Sequence, residues 1–208
     1  MTGGTAQEPT SPTSGADPVT ARLAALADRL AERGAAPDTT LSRRGWQAAT
    51  ALVLAPGEQD IEVAIIERTK REGDRWSGQL ALPGGRLEPP DRTLAETAAR
   101  ETREEVGLVL GPPLAQVTQH RARVRPGIVA CYAFVLDDPA SMTPDPGEVA
   151  NAWWVPLGAL TDPGNATTLR YAGIPFPAID VQGRALWGLT LTLLDRFAEL
   201  AELQLATG

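Results

Sequence analysis

Cysteine is almost absent from this chain. Cys131 is its only one, so no disulfide can form within it. Its place inside the apolar run from Ile128 to Val135 marks it as a core thiol rather than a nucleophile. Histidine is as scarce: His120 stands alone, with no nucleophile motif around it. That argues against hydrolases built on Ser-His-Asp or Cys-His pairs and leaves His120 as a strand or surface residue. Positive charge is also short, with 19 Lys and Arg against 26 Asp and Glu and a net charge of -7. A general nucleic-acid binder needs clustered Lys and Arg to meet phosphates. No apolar run approaches the roughly 20 residues of a membrane span, and the first residues show no basic segment leading into a hydrophobic one. The expectation is a cytoplasmic protein whose partner is a small molecule, neither nucleic acid nor membrane, working alone or as a homodimer.

What the chain does have is enough apolar material for one core: 208 residues, 43% hydrophobic and 22% charged. Residues 1–16, rich in Thr, Gly, Ser and Pro, read as a disordered tail, and residues 17–208 as a single domain. Asp17 and Pro18 read as the cap and first residue of a helix, with Val19, Leu23, Leu26 and Leu30 at helical spacing and Gly34 as the stop. Residues 46–54 and 61–67, separated by Pro56-Gly57-Glu58, read as a hairpin or strand pair. Further strands are predicted at about 114–124, 128–136 and 150–155. A last amphipathic helix is predicted over about 185–204, with Leu186, Leu189, Leu193, Phe197 and Leu200 inward. Asn165-Ala166-Thr167 has the form of a glycosylation sequon, which means nothing without a secretion signal. Strands with helices before, between and after them imply an α/β fold, an α/β/α sandwich.

The densest information lies in residues 82–108. Thr93 and Glu96 form a capping-box pair and Gly107 supplies a left-handed stop, which frames a short helix. Glu101, Glu104 and Glu105 then fall at i, i+3 and i+4 on one face, at the negative end of the helix dipole. Like charge and dipole both oppose this arrangement. A hard divalent cation such as magnesium reverses both penalties, since it is held by a few carboxylates together with substrate phosphates. Ala95, Ala98, Ala99, Thr102 and Val106 make a small-residue stripe beside the glutamates, so the helix packs closely with its acidic flank at the edge. Upstream, Pro83-Gly84-Gly85 can bring backbone close to a bound ion or phosphate.

This segment resembles the Nudix box, whose pattern is G-x5-E-x7-R-E-U-x-E-E-x-G-U with U an aliphatic residue. Arg100-Glu101-Thr102-Arg103-Glu104-Glu105-Val106-Gly107-Leu108 matches its second half. The resemblance implies a Nudix-type α/β/α sandwich with a mixed β-sheet and a hydrolase of diphosphate linkages. It implies that Glu104 and Glu105 bind magnesium directly, with manganese as a substitute. Glu101 would assist directly or through water, Gly84 would offer its carbonyl, and Arg100 would orient the glutamates by ion pairing. The chain departs from the pattern twice. Fourteen residues rather than thirteen separate Gly85 from Arg100, and Thr102 replaces the aliphatic residue. The extra residue leaves Arg92 where the first glutamate would stand, so Glu88 or Asp91 must fill that role. Glu148, before the aromatic segment Trp153-Trp154, resembles a glutamate that many members carry there, a general base or a structural acid.

Two basic groups are candidates for substrate phosphates. Arg121, Arg123 and Arg125 alternate along a strand and would share one face, ending at Pro126. Arg68, Lys70, Arg71 and Arg75 precede the glycine turn, balanced by Glu67, Glu72 and Asp74. The segments Trp76–Gly85 and Leu186–Thr190 resemble the coenzyme A pyrophosphatase branch, whose members release 3',5'-ADP and 4'-phosphopantetheine. That branch's upstream motif is met in part, because Leu82 stands for its phenylalanine and Ile65-Ile66-Glu67 for its Leu-Leu-Thr. The same box would also serve a nucleoside triphosphate, nucleotide-sugar or dinucleotide hydrolase, or a ligand sensor that has lost turnover.

Overall fold

The computed structural model describes residues 17–37, 45–73, 76–121 and 127–208. The expected tail at 1–16, and Arg75, Arg123 and Arg125, lie outside the described residues. The first helix, α1 (Pro18–Arg33), starts where the sequence placed it, with the Asp17 carboxylate accepting from the Val19 N–H at 3.2 Å. Val19, Leu23, Leu26 and Leu30 form its buried stripe.

Strand β1 (Trp46–Pro56) turns through Gly57, whose N–H donates to the Asp60 carbonyl at 2.8 Å, into the antiparallel β2 (Ile61–Arg68). The two strands share only a short ladder, from Leu54↔Val63 to Pro56↔Ile61. Beyond it each takes a different partner: β3 (Leu80–Ala81) pairs with Ile66 and Glu67 of β2, and β4 (Gly84–Arg86) pairs with Ala48–Thr50 of β1. The glycine turn between β3 and β4 is therefore stitched to both long strands, and the Ala51 N–H donates to the Pro83 carbonyl at 2.8 Å. On its other side β1 runs parallel to β6 (Gly127–Val135), and β6 pairs antiparallel with the edge strand β5 (Ala115–Arg121). Strand β7 (Val149–Pro156) pairs antiparallel with β2. The result is a mixed seven-stranded sheet.

The sheet is covered on both faces, which is why β1, β2 and β6 read as nearly continuous apolar runs. Leu52, Leu54, Val63 and Ile65 pack with α1 and the last helix α4 (Gly188–Ala201), the short α3 (Leu157–Thr161) sealing the same side. Ala51, Val53, Ala64 and Ile66 pack with α2 (Leu94–Val106) on the other. This is the expected α/β/α sandwich. Among the described residues no helix is long and apolar enough to cross a membrane. Because Leu30 is fully buried where α1 meets the sheet, Leu30→Ala should cost about 2 to 5 kcal/mol in urea unfolding. A loss below about 1 kcal/mol would mean that α1 does not seal this core.

Two sequence expectations need correction. Three strands, β8 (Ala166–Tyr171), β9 (Ile174–Val181) and β10 (Arg184–Trp187), form a second antiparallel sheet that the sequence reading missed. Both hairpins turn on two residues at positive φ, Ala172-Gly173 and Gln182-Gly183, the geometry that matches strand twist. Ile179, Val181 and Leu186 point from this sheet into the core beside α4. The last helix also begins later than predicted. Leu186 is buried from a strand, Gly188 at φ 65 breaks the chain into the helix, and the resulting register leaves Leu189 exposed. Leu193 and Phe197 are inward as expected, with Leu200 partly so.

Candidate active site

Helix α2 is built by its ends. The Thr93 hydroxyl accepts from the Glu96 N–H at 3.1 Å, and Gly107 at φ 76 stops the helix. Only half of the expected capping box forms, because the Glu96 carboxylate accepts from the N–H of Arg92 at 2.7 Å and pairs with that side chain. Of the expected stripe, Ala95, Ala98, Thr102 and Val106 are buried against the sheet, with Leu94 beside them, and Ala99 is half-buried. Thr102, at the aliphatic position of the box, is accommodated there because its hydroxyl donates to the Ala98 carbonyl at 2.7 Å.

Close packing carries Glu105 inside with the stripe. It is almost fully buried, and the N–H of Gly84 donates to its Oε2 at 2.8 Å. Burial pushes its carboxyl up to about 8, against the Gly84 hydrogen bond, with Glu101 and Glu148 adding to the rise and Arg68 opposing it. Glu101 is raised for the same first reason and held back by Arg100. One carboxylate oxygen from each of Glu101, Glu105 and Glu148 lies within 4.8 Å of the others. Three such oxygens, one on a buried group with a raised proton affinity, make a hard donor set that suits a divalent cation such as magnesium or manganese. Glu104 shares the helix face, but its half-exposed carboxylate is drawn to Arg100 Nη1 at 2.8 Å and stands outside the trio.

Arg100 is the hub. Its guanidinium reaches Asp91 Oδ1 at 3.0 Å and Oδ2 at 2.9 Å, Glu101 at 3.0 Å, Glu104, and the Arg86 carbonyl at 2.9 Å. Asp91, not Glu88, meets it. Burial alone would raise the Asp91 carboxyl, but hydrogen bonds from Arg100, from the Glu88 N–H and from Thr97 bring it below its ordinary value. The glycine turn admits no substitute at Gly84, and a side chain at Gly85 would displace the Glu101 carboxylate. A Cβ on Gly84, which sits at φ 151, would lie 2.2 Å from the Ala49 carbonyl oxygen, and one on Gly85 would lie 2.3 Å from the Glu101 carboxylate carbon.

Of the basic candidates, Arg68 at the end of β2 lies close enough to lower Glu105. Arg121 is exposed at the end of edge strand β5, with β6 between it and β1. Lys70 and Arg71 are exposed, and a guanidinium nitrogen of Arg71 donates to the Gly147 carbonyl. His120 lies on β5, and Cys131 is a buried core thiol pushed up to about 12 by burial. Asp145, whose side chain accepts from the Gly147 N–H at 2.8 Å to close the turn before Glu148, was missed; Asp145-Pro146-Gly147 is a turn signal that would have found it.

A sequence model of the NUDIX domain matches residues 45–172. The chain is 30% identical over 149 residues to the uncharacterized Nudix hydrolase NudL of Pectobacterium atrosepticum, covering 62% of this chain and 71% of that one. It is 28% identical over 139 residues to the mitochondrial coenzyme A diphosphatase NUDT8 of Homo sapiens, covering 62% and 58%. It spans 36% of a longer relative from Schizosaccharomyces pombe. Its fold is similar to the NUDIX domain of Shewanella oneidensis NrtR solved with ADP ribose, with a TM-score of 0.55 at 18% identity over 76% of this chain and 89% of that one.

Proposed function

Because the chain belongs to the Nudix hydrolase family, whose domain model matches more than half of its length, we propose that it is a magnesium-dependent hydrolase of a diphosphate linkage. Its leading substrate is coenzyme A or a derivative, cleaved to 3',5'-ADP and 4'-phosphopantetheine or its acyl form. The observation that carries the reading is the convergence of Glu101, Glu105 and Glu148 beneath a glycine turn, with one carboxylate buried. Glu101 and Glu105 would hold the ion together with one carboxylate oxygen of Glu148, with Glu104 on the solvent side and the Gly84 carbonyl completing the set. When bound, the ion neutralises the diphosphate and polarises its phosphorus.

The chain's own residues supply the rest. Arg100 fixes Glu101 and Glu104 through its anchor on Asp91, so their carboxylates need not reorganise during the reaction. Glu148, exposed on its turn and beside the other two, has a second carboxylate oxygen that would take a proton from the attacking water. Among the described basic candidates, Arg68 is the one whose charge reaches Glu105, and it would meet the substrate phosphate beside the ion. Arg75, Arg121, Arg123 and Arg125 remain candidates for the outer phosphate.

Coenzyme A is favoured by the likeness to the human coenzyme A diphosphatase and by one contact. Thr190 Oγ1 donates to the Leu80 carbonyl at 3.0 Å, tying the segment Leu186–Thr190 to the strand that enters the glycine turn. The two stretches that resemble the coenzyme A branch thus meet beside the site. A magnesium-dependent assay should compare coenzyme A, nucleotide sugars, dinucleotides and nucleoside triphosphates. Coenzyme A is expected to give the highest kcat/KM. A tenfold preference for any other class would displace it, and no turnover of any with magnesium or manganese would remove the enzymatic reading.

A further inference from the structure

Glu148 is the one member of the trio carried by no helix, and its turn is gripped from both flanks. We infer that Thr69 and Arg71 are positioning residues that set where the Glu148 carboxylate stands relative to Glu101 and Glu105. The inference rests on reading the trio as one ion site.

Three successive carbonyls of the turn are taken by the segment that follows β2. Thr69 Oγ1 donates to the Pro146 carbonyl at 3.2 Å, the Arg71 guanidinium donates to the Gly147 carbonyl, and the Thr69 N–H donates to the Glu148 carbonyl at 2.8 Å. Arg71 is itself braced, its N–H donating to Ser77 Oγ at 2.6 Å. The ladder between β2 and β7 shifts register between Glu67 and Arg68. Side chains therefore take over holding the backbone just where regular pairing lapses.

The other flank is tied to α2. The Thr143 N–H donates to the Val106 carbonyl at 2.8 Å and the Asp145 N–H to the Glu105 carbonyl at 2.9 Å. These carbonyls belong to the last helical turn, which has no partners of its own. The Asp145 carbonyl then accepts from the Glu148 N–H at 2.9 Å and the Val149 N–H at 2.8 Å. Glu148 is thus linked through one residue to the backbone of Glu105. A turn held on that flank alone would be free to pivot about it, and Thr69 and Arg71 remove that freedom. Arg71 accordingly acts on the protein's backbone, where the sequence had offered it to substrate phosphate.

The test uses Mn2+ alone, its binding to the full chain followed by electron paramagnetic resonance. Thr69→Val combined with Arg71→Ala removes both side-chain bonds and leaves the backbone N–H at position 69 in place. The Mn2+ dissociation constant should rise about tenfold, at the low end of what losing outer support costs a metal site. The metal-free melting temperature of the same samples should hold within about 3 °C. Arg71→Lys, which keeps a donor, should stay within about threefold of wild type. In a Glu148→Gln background the double substitution should change Mn2+ affinity no further, because its effect passes through that carboxylate. An unchanged dissociation constant, or an equal loss with and without Glu148, overturns the inference while leaving the site intact. Wild-type protein that binds no Mn2+, or Glu148→Gln that binds it as tightly as wild type, overturns the reading of the trio instead.

Discussion

Glu105→Gln is expected to lose turnover by a hundredfold or more while making the metal-free protein more stable. The amide is nearly the same shape, and its oxygen can keep the hydrogen bond from Gly84, so the fold has no reason to change. The substitution removes a charge that the site needs and the fold does not. The Glu105 carboxyl is raised by burial to about 8 in the folded protein, above its ordinary value of 4.5. Its contribution to stability is therefore fully present below about 4.5 and is lost as pH rises through about 8. Wild type and variant should melt together at about pH 4, and the variant should gain progressively from about pH 4.5 to about pH 8. The gain is at most a few kcal/mol, since each tenfold in proton affinity is worth about 1.4 kcal/mol. Near-normal turnover at saturating magnesium would sink the ion-site assignment. A constant gap between the two melting curves across this pH range would show that Glu105 is not desolvated as described.

Arg100→Ala should be the most damaging single change to stability in the site, about 3 to 5 kcal/mol, because it strands Asp91 as an unpaired and largely buried carboxylate. Two glutamates on α2 lose their shared partner at the same time. Asp91 is held below its ordinary value of 3.8 by Arg100. Its stabilising contribution is present above about 3.8 and disappears as pH falls through the depressed value. The cost of the substitution, measured by urea unfolding, should be full at pH 7 and shrink below about pH 4. A cost under about 1 kcal/mol at pH 7 would mean that the pair is solvated and that Arg100 is not the hub of the site.

The parts of this site that were legible in the sequence are those fixed by local periodicity. Helical spacing with Thr93 and Gly107 as ends places Glu101 and Glu105 on one face, and the glycines mark a turn whose backbone comes close to its neighbours. Glu148 could be singled out by resemblance but not placed, since its approach to the helix depends on β2–β7 pairing and on a turn held by side chains. Glu104 illustrates the reverse. Its position on the helix was legible, but its engagement with Arg100 depends on where that guanidinium is anchored. The second sheet was hidden because β9 carries Pro175 and Pro177, which argue against a strand between two others. The structure resolves this: β10 pairs only with Ala178–Val181, so β9 has a single neighbour, β8, where the prolines sit. Leu186 and Leu189 misled because a strand and a helix meet at Gly188, and one periodicity was read across both.

The parallel pairing of β1 with β6 joins residues roughly eighty positions apart in the chain, and the glycine turn and α2 lie inside that interval. Closing it costs chain entropy that grows only with the logarithm of its length, about 0.6 kcal/mol for each doubling. One more residue between Gly85 and Arg100 therefore adds almost nothing to that cost. What such an insertion does change is phase, because it moves every side chain beyond it relative to those before. The connection from Leu87 to Arg92 absorbs the phase in irregular backbone, β4 stays in register with β1, α2 stays packed on the sheet, and Asp91 arrives at Arg100 from one position earlier than Arg92. Drift in the length of this connection is thus limited by which carboxylate reaches the guanidinium and hardly at all by the entropy of the chain.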